Sequence, residues 1–407
     1  MTDEPAITAV TAEDDGESIA LMEPMLLAQA SPHRGPLTDL AVELAARAAG
    51  LRRGLPQGVS GALADLVRAM NCYYSNLIEG HDTHPVDIER ALRRDYSDDP
   101  RTRNLQLEAA AHIAVQRWLD DGGLAGRAVT AEGLCELHRR FCAALPEEML
   151  RLAHPDTGTS AAVVPGGLRT RRVQVGMHVP VSPGALPRFL RRFESVYVNP
   201  GRTDAILGAA AAHHRFLWIH PFLDGNGRVA RLMSHAMLLE SLETGGVWSV
   251  ARGLARNEGA YKRHLADCDS PRRHDVDGRG NLSEEALAAF IRFFLEVCLD
   301  QVDFLERLVQ PDRLRHRILT WAGGETRAGT LPHGAEAVLE AGLFRGELPR
   351  GDVPAILGAS ERQARRVTAA LIEQGALVST NHRAPLRLAF PATLAPHWLP
   401  GLFPDRG

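Results

Sequence analysis

The feature that most limits the possible folds of this sequence is a helical spacing of apolar residues that continues over most of the chain. From Leu37 to about Leu145, and again over about 186–309, apolar side chains recur three and four residues apart, as on one face of an α-helix. Only about residues 165–186 alternate apolar and polar side chains as a β-strand does. The spacing predicts a mainly α protein with a short β-hairpin.

Composition excludes several classes of protein. The chain has 407 residues, 45% hydrophobic and 24% charged, which is typical of a globular chain of about two to four domains. Its net charge is −4, so charge-driven binding to nucleic acid or membrane is not its dominant property. No apolar run approaches the ~20 residues that span a bilayer. The acidic start is unlike a signal peptide and the five cysteines form no CxxC pair, so we expect a cytoplasmic protein without a membrane partner.

Lysine is almost absent from this chain. Of 46 basic residues only Lys262 is a lysine, and it stands in AYKRHL. A Walker loop and a protein kinase each need a lysine in a motif that this chain lacks. Any phosphate must therefore be held by arginine and backbone N–H groups. The Arg-rich, Lys-poor usage also indicates a GC-rich bacterial genome.

Changes in composition and periodicity divide the chain into four predicted regions. Residues 1–35 carry seven acids and little periodicity, so we expect a flexible acidic arm. An N-terminal helical region is predicted over 36–150 and a catalytic core over 151–310. Residues 311–407 have the order helix, turn, helix and two-stranded wing, which predicts a winged helix-turn-helix domain.

The predicted winged helix contains several arginines but is nearly neutral. Ser360 with Gln363 forms a capping box, and Gly375 ends the second helix. Residues 311–407 contain twelve arginines and nine acidic residues. This excess of positive charge is smaller than that of a typical DNA-binding domain. We therefore expect a protein-docking or dimerisation role, with DNA as the less favoured partner. The candidate phosphate contacts are Arg362, Arg365, Arg366 and Arg383.

The segment IHPFLDGNGRVAR, residues 219–231, concentrates groups that suit a phosphate. Gly225 and Gly227 flank Asn226, and glycine allows successive backbone N–H groups to turn inward as an anion nest. The amphipathic helix that follows adds the partial positive charge of its N-terminus. Arg228 and Arg231 are one helical turn apart, so both can reach one polyphosphate. The segment predicts a polyphosphate site.

Two further side chains of this segment predict chemistry as well as binding. Asp224 directly precedes the nest and can bind a divalent metal that bridges phosphate oxygens. His220 can act as a general base near neutral pH. Two alternatives are a dinucleotide-binding motif, which the spacing meets only in part and which should follow a strand, and a purely structural loop.

At these residues the sequence resembles the Fic family, whose signature HPFx[DE]GNGRxxR is matched in full by His220–Arg231. The resemblance covers roughly residues 40–310, and many relatives also carry a C-terminal winged helix. Family members mostly transfer AMP from ATP to a protein hydroxyl. The resemblance implies His220 as base and Asp224 as ligand of Mg²⁺, or of Mn²⁺. It also implies that Gly225, Asn226 and Gly227 form an anion hole for the α- and β-phosphates. Arg228 and Arg231 would hold the β- and γ-phosphates.

The resemblance extends to two further parts of the core. The hairpin around Val173, Val175 and Met177 is similar to the family's flap, which docks an extended target segment by strand addition. A purely structural hairpin is the alternative. Asn257 and Tyr261 fall where relatives line the adenine pocket, against the alternative of a surface helix. His213 matches a position that is often histidine in relatives, and we expect it to be a buried helix residue.

The segment SNLIEG, residues 75–80, matches the family's inhibitory pattern [ST]xxxE[GN]. In relatives this glutamate pairs with the second signature arginine, and the resemblance implies the same for Glu79 and Arg231. A carboxylate there would occupy the γ-phosphate position and repel polyphosphate. Ser75 lies one turn before Glu79 and can steady it. The nearby His81 and His84 are expected to be loop histidines.

These observations predict an autoinhibited, Mg²⁺-dependent protein adenylyltransferase that moves AMP from ATP to a Ser, Thr or Tyr hydroxyl. One alternative stays within the enzyme class: AMP removal, or transfer from another nucleotide donor. The other is a nucleotide-sensing transcription regulator that acts through its winged helix. The predicted partners are ATP, an unidentified protein target and a second copy of the chain, because relatives often form homodimers.

Overall fold

The computed structural model describes residues 12–55, 59–153 and 160–404. Helices dominate this part of the chain, which confirms the predicted mainly α class. The first half contains α1 (Arg34–Gly54), α2 (Val59–Ile78), α3 (Pro85–Leu92), α4 (Pro100–Asp120), α5 (Ala131–Cys142), α6 (Leu186–Tyr197) and α7 (Arg202–Ile219). The second half contains α8 (Asn226–Leu242), α9 (Ala251–Arg256), α10 (Glu258–Cys268), α11 (Glu284–Val309), α12 (Pro311–Ala328), α13 (Ala335–Arg345), α14 (Val353–Leu357), α15 (Glu361–Glu373) and α16 (Ala395–Trp398).

Strands are few and short. β1 (Arg151–Ala153) pairs antiparallel with β2 (Ser160–Ala162), with Arg151 opposite Ala162. A second antiparallel sheet has the order β3 (Glu347–Leu348), β5 (Leu386–Leu388), β4 (Leu377–Val378). Neither sheet is large enough to form a core, so the hydrophobic core is built by helices. Within the described ranges, no helix is long and apolar enough to cross a membrane.

The chain forms two compact units, each assembled from separate stretches of sequence. The first unit contains Met1–Asp39, Leu124–Met237 and Gly259–Phe293, and the second contains Leu40–Gly123, Leu238–Glu258 and Phe294–Gly407. These units do not follow the predicted boundaries at residues 150 and 310. The difference arises because helical periodicity shows which face of a helix is buried but not which other helix covers it.

In the first unit, α7 is buried along most of its length and forms the centre of the core. Its alanines at 209–212 are fully buried, which lets neighbouring helices approach closely. The amphipathic helix α6 packs against α7 and buries Phe189 and Phe193. Thr130 caps the N-terminus of α5 by accepting a hydrogen bond from the Gly133 N–H (3.0 Å). This core holds in place the loop between α7 and α8, which carries the signature.

The N-terminal segment differs from the predicted flexible arm. Residues 1–11 lie outside the described residues, but from residue 12 onwards the segment packs on the first unit. Met22 and Met25 are buried, and the Tyr197 hydroxyl donates to the Met25 carbonyl (2.5 Å). We call residues Glu13–Glu17 the acidic strap, because their carboxylates pair with arginines of the same unit. Composition missed this packing, since each acid has a partner distant in sequence.

The flap, predicted around residues 173–177, is smaller than a regular hairpin, and we use this name for residues 173–179. One residue pair, Val175 with His178, closes a tight turn in which Gly176 has φ +59°. The predicted alternation of buried and exposed side chains is not realised: Val175 and Met177 are both exposed and Val173 is partly buried. A two-residue ladder has no neighbouring strand to cover one face, so alternation in sequence does not become alternation in burial.

In the second unit, α2 packs against α3, α4 and α9. Its buried face includes polar residues: the Asn71 amide donates to Gln116 Oε1 (2.5 Å) and its oxygen accepts from the Ser249 hydroxyl (2.7 Å). Towards the C-terminus the order α13, β3, α14, α15, β4, β5 fits the predicted winged helix, whose assignment stays a prediction. Ser360 caps α15 by accepting from the Gln363 N–H (3.4 Å), as its capping box predicts.

Candidate active site

The candidate base, His220, stands at the turn where α7 ends. Its backbone adopts the left-handed conformation (φ 50°, ψ 60°) and its N–H donates to the Phe216 carbonyl (2.9 Å). This conformation is disfavoured for residues other than glycine, so the surroundings must hold it. The left-handed turn stops the helix, and the side chain of His220 remains partly exposed.

Arg169 holds this turn, although no sequence pattern had singled it out. The side chain is 3% exposed and its Nε donates to the His220 carbonyl (2.8 Å). The two terminal nitrogens donate to the carbonyls of Arg171, Val181 and Ile219. Burial lowers the pKa of Arg169 to about 10, which still leaves the guanidinium charged at neutral pH. The buried guanidinium group of Arg169 thus links the segment before the flap to the signature loop by hydrogen bonds.

The His220 ring is positioned to accept a proton. Nδ1 contacts the Leu217 carbonyl (3.3 Å), and since a carbonyl only accepts, the contact places the ring proton on Nδ1. Nε2 then carries the lone pair. Burial lowers the pKa of His220 from 6.5 to about 4, so the ring is neutral at physiological pH. A neutral imidazole with a directed lone pair is what a general base requires.

Asn226 braces the signature loop from within. Its Oδ1 accepts from the Phe222 N–H (3.0 Å) and its Nδ2 donates to the Phe222 carbonyl (2.8 Å), with both groups buried. The side chain therefore fixes the loop, and only the backbone of Asn226 is left to contribute to an anion hole. Gly225 has φ +80°, which favours glycine, and a Cβ there would lie 3.5 Å from the His138 ring.

The first turn of α8 supplies the predicted phosphate-binding groups. The helix begins at Asn226, so the first N–H groups of its backbone have no acceptor within the helix. Arg228 and Arg231 follow on the same helix and are 6% and 3% exposed. The guanidinium of Arg228 lies 5.5 Å from the centroid of the Phe141 ring. The predicted nest and both arginines thus lie at or near the N-terminus of α8.

Sequence reasoning also missed His138, which lies behind the loop. Its Nδ1 accepts from the Gly166 N–H (2.9 Å), so the proton is on Nε2, which lies 3.2 Å from the Asp224 carbonyl. The ring stacks on Phe222 at 3.9 Å, and burial lowers its pKa to about 4. A lone histidine on an amphipathic helix carried no usable signal. The two backbone groups that its ring contacts, at Gly166 and Asp224, are 28 and 86 residues away in sequence.

Asp224 is the candidate metal ligand. The residue is exposed, and its Oδ1 accepts from the Gly225 N–H (2.7 Å). Among the described residues no group of three His, Cys, Asp or Glu side chains could hold a metal by itself. A single exposed carboxylate nevertheless fits Mg²⁺, which is commonly held by one or two carboxylates together with substrate phosphates and water.

The two candidate adenine-pocket residues have defined surroundings. Tyr261 is 2% exposed and its hydroxyl lies 2.7 Å from His213 Nε2, while His213 Nδ1 lies 2.9 Å from the Ser234 hydroxyl. His213 is thus a buried helix residue, as expected. Asn257 is exposed at the end of α9, where its Nδ2 donates to the Gly253 carbonyl (2.9 Å). Asn257 lies in the second unit and Tyr261 in the first.

The candidate inhibitory residues belong to the second unit. Ser75 is fully buried on α2, and Glu79 follows the last turn of that helix, with its N–H donating to the Asn76 carbonyl (3.0 Å). Two residues on, His81 lies 2.7 Å from the buried carboxylate of Glu108. His84 caps α3 by accepting from the Val86 N–H. The pairing of Glu79 with Arg231 stays a prediction.

Comparison with known proteins gives the class of this domain. Residues 128–238, which contain the whole signature, match the Fic/DOC family. The crystal structure of a Fic family protein from Desulfovibrio desulfuricans G20 superposes with a TM-score of 0.51 at 17% identity, covering 89% of this chain and 97% of that one. The chain therefore contains a Fic/DOC-family domain with the Fic fold.

Curated relatives are similar over the same part of the chain. The protein adenylyltransferase Fic of Drosophila grimshawi is 28% identical over 172 residues, which is 42% of this chain and 32% of that protein. The protein of the same name from Drosophila ananassae is 34% identical over 172 residues, or 31% of its length. The chain thus spans about a third of the length of the curated relatives that it matches.

Proposed function

We propose that this chain is an autoinhibited protein adenylyltransferase, which transfers AMP from ATP to a Ser, Thr or Tyr hydroxyl of a protein. The observation that carries the proposal is the signature loop. It places a neutral His220, an exposed Asp224 and the first turn of α8 with two buried arginines in one short segment. The names of the relatives support the same reaction type.

The chemistry divides among these residues. Nε2 of His220 takes the proton from the target hydroxyl as its oxygen attacks the α-phosphorus of ATP. The bond between the α-phosphorus and the bridging oxygen breaks, and pyrophosphate leaves with the bonding electrons. The N–H groups at the start of α8 and the guanidinium groups of Arg228 and Arg231 stabilise the negative charge on the phosphates. The product is a protein phosphodiester that carries AMP.

Asp224 would hold a divalent ion at the phosphates, and Mg²⁺ supplies charge neutralisation there when it is bound. The lone carboxylate suggests that the ion arrives with the nucleotide. The hydrogen bond from the Gly225 N–H to Asp224 Oδ1 keeps the carboxylate beside the predicted anion nest. Removal of divalent ions is accordingly expected to abolish transfer.

Inhibition is assigned to Glu79. Its position directly after α2 and the burial of Ser75 on the same helix support a fixed inhibitory segment. A carboxylate that pairs with Arg231 would deny this arginine to the γ-phosphate. Loss of the carboxylate is then expected to raise AMP transfer, because ATP can bind in the productive arrangement.

The test compares the unchanged chain, Glu79→Gly and Glu79→Gly/His220→Ala, each incubated with Mg²⁺ and ATP and followed by intact mass. We expect an AMP adduct that forms at least 10-fold faster in Glu79→Gly than in the unchanged chain, and none in the double variant. Asp82→Gly, which removes a nearby carboxylate, serves as the matched control and should behave as the unchanged chain.

Other outcomes would point elsewhere. Equal adduct formation in the unchanged and Glu79→Gly chains would contradict the inhibitory role. The absence of any adduct, combined with ATP binding by Glu79→Gly, would contradict AMP transfer and favour another donor, AMP removal or nucleotide sensing.

A further inference from the structure

The acidic strap occupies a defined surface of the first unit beside the flap. Arg172, directly before the flap, donates from Nε to Glu13 (3.1 Å) and from one terminal nitrogen to both oxygens of Asp15 (2.6 Å each). Arg188, on α6, makes a two-pronged contact with the carboxylate of Asp14. The hydrogen bonds from Arg188 lower the pKa of Asp14 to about 2.

Backbone groups hold the strap as well as charges. The buried Ser182 donates from its N–H and its hydroxyl to the two oxygens of Glu17 (2.6 Å each), and its hydroxyl accepts from the Asp15 N–H (3.1 Å). The Gly184 N–H donates to the Glu13 carbonyl (2.8 Å). These contacts hold the main chain of the strap, which turns at Gly16 (φ 75°), together with its carboxylates.

Gly184 makes this approach possible. A Cβ at this position would lie 2.6 Å from the Asp14 Cβ and 2.8 Å from the Ala12 carbonyl oxygen, closer than non-bonded atoms come. All the nearest atoms belong to the strap and its preceding residue. A surface that takes up a peptide main chain at this distance needs a residue without a side chain.

The surface continues into exposed apolar side chains. Met177 is 95% exposed and Val179 is 63% exposed, both on the flap that starts one residue after Arg172. The strap leaves these side chains uncovered. A ligand that fits the whole surface would therefore be a peptide segment with carboxylates for the arginines and an apolar side chain for the flap.

We propose that the surface formed by Arg172, Ser182, Gly184 and Arg188 binds an acidic segment of the protein target, and that the acidic strap occupies it until the target displaces the strap. This inference rests on the proposed function and names the class of target segment. Exposed ion pairs contribute little to stability. The pairs of Glu13 and Asp15 with Arg172 are exposed, so this part of the strap can exchange with a similar segment.

The experiment measures binding without nucleotide, so that it does not depend on AMP transfer. The probe is a fluorescein-labelled peptide of the chain's own residues 12–18, AEDDGES, compared with its uncharged counterpart AQNNGQS. In the full chain, the strap is neutralised by Glu13→Gln, Asp14→Asn, Asp15→Asn and Glu17→Gln. We expect fluorescence anisotropy to show at least 10-fold tighter binding of the acidic peptide by this variant than by the unchanged chain.

Two further changes in the neutralised variant separate the proposed surface from general attraction of charge. Arg172→Gln combined with Arg188→Gln is expected to abolish the gain in peptide affinity, because the positive charges that bind the carboxylates are lost. Gly184→Ala is expected to remove it by blocking the main chain, with all charges retained. The control for net charge neutralises four exposed carboxylates elsewhere in the first unit and should bind as the unchanged chain: Glu132, Glu147, Glu148 and Asp275.

A neutralised chain that folds, judged by circular dichroism, and binds the acidic peptide no better than the unchanged chain would overturn the inference. If the fourfold variant fails to fold, Asp15→Asn alone should still raise the peptide affinity about 2- to 3-fold, and no rise would be equally decisive. AMP transfer by Glu79→Gly without such peptide binding would refute this inference alone. Peptide binding without transfer would refute only the proposed function.

Discussion

At the scale of single residues, the site depends on a histidine whose backbone is strained and on the arginine that holds it. A left-handed residue other than glycine costs about 1–3 kcal/mol unless its surroundings impose the conformation. Arg169 provides this constraint with donors to four carbonyls, one of them that of His220. Arg169 contacts no reacting group in this arrangement, so its role is to position the base.

Arg169→Gln, made in the Glu79→Gly background, is expected to lower the kcat of AMP transfer about 100-fold, because a displacement of about 1 Å at a catalytic group has an effect of that size. The KM for ATP should change less than 3-fold, since the nest and both signature arginines are retained. Arg169→Lys should recover part of the kcat, because an ammonium can still donate to the His220 carbonyl. Steady-state kinetics would measure both constants.

The control for this prediction is Arg171→Gln, which removes the same charge from an exposed neighbour. Its kcat should stay within 2-fold of the parent. The positioning role would be contradicted if Arg169→Gln and Arg169→Lys changed kcat and the KM for ATP by the same factor and lysine recovered none of the kcat. That result would indicate a general loss of structure.

At the scale of elements, the α7–α8 loop is a rigid connection because Asn226 closes it on Phe222. A net contribution of about 1 kcal/mol per hydrogen bond is typical, and both bonds are buried. The amide group thereby sets the direction in which α8 starts, and so the direction of its free N–H groups. The loop and the helix N-terminus act as one unit for phosphate binding.

Asn226→Ala should therefore lower the free energy of unfolding by about 2 kcal/mol and weaken ATP binding by at least 10-fold, because the loop is no longer held. Urea denaturation and calorimetric titration of ATP would test the two parts. Ser360→Ala is the control: loss of this N-cap on α15 should cost about 1 kcal/mol of stability and leave ATP affinity unchanged. Unchanged ATP affinity in Asn226→Ala would contradict the bracing role.

At the scale of the whole molecule, buried histidines make stability depend on pH. Burial lowers the pKa of three fully buried histidines of the first unit, to about 4 for His138 and His214 and about 3 for His213. In the unfolded chain they titrate near 6.5, so between that pH and about 4 the unfolded state binds more protons. Their contribution to stability is present above pH 6.5 and is lost as pH falls through this window.

We expect the free energy of unfolding to fall by about 1 kcal/mol per histidine between pH 6.5 and pH 5.5. Urea denaturation at several pH values would measure the slope. His213→Gln should make the dependence shallower, whereas substitution of the exposed His333 by Gln should leave it unchanged. A stability that stays constant over this interval would contradict the assignment of neutral, buried histidines.

Much of the element structure and the signature could be predicted from sequence. Helical spacing predicted the mainly α class, and a local capping rule predicted the start of α15 at Ser360, because a cap involves residues three apart. The signature loop could be predicted because its groups are adjacent in sequence. The prediction was wrong for residues 12–35 of the acidic arm and for the alternation in the flap, where burial depends on distant partners.

The sequence by itself thus determined the helical periodicity and the adjacency of His220, Asp224, the glycines and the two arginines. Only the tertiary structure decided which helices share a core, and that His138 and Arg169 support the signature loop. It also decided that the N-terminal acids lie on Arg172 and Arg188. The physical reason is the same in each case: backbone capping and turn conformation are local, whereas burial and ion pairing depend on groups that the chain brings together from far apart.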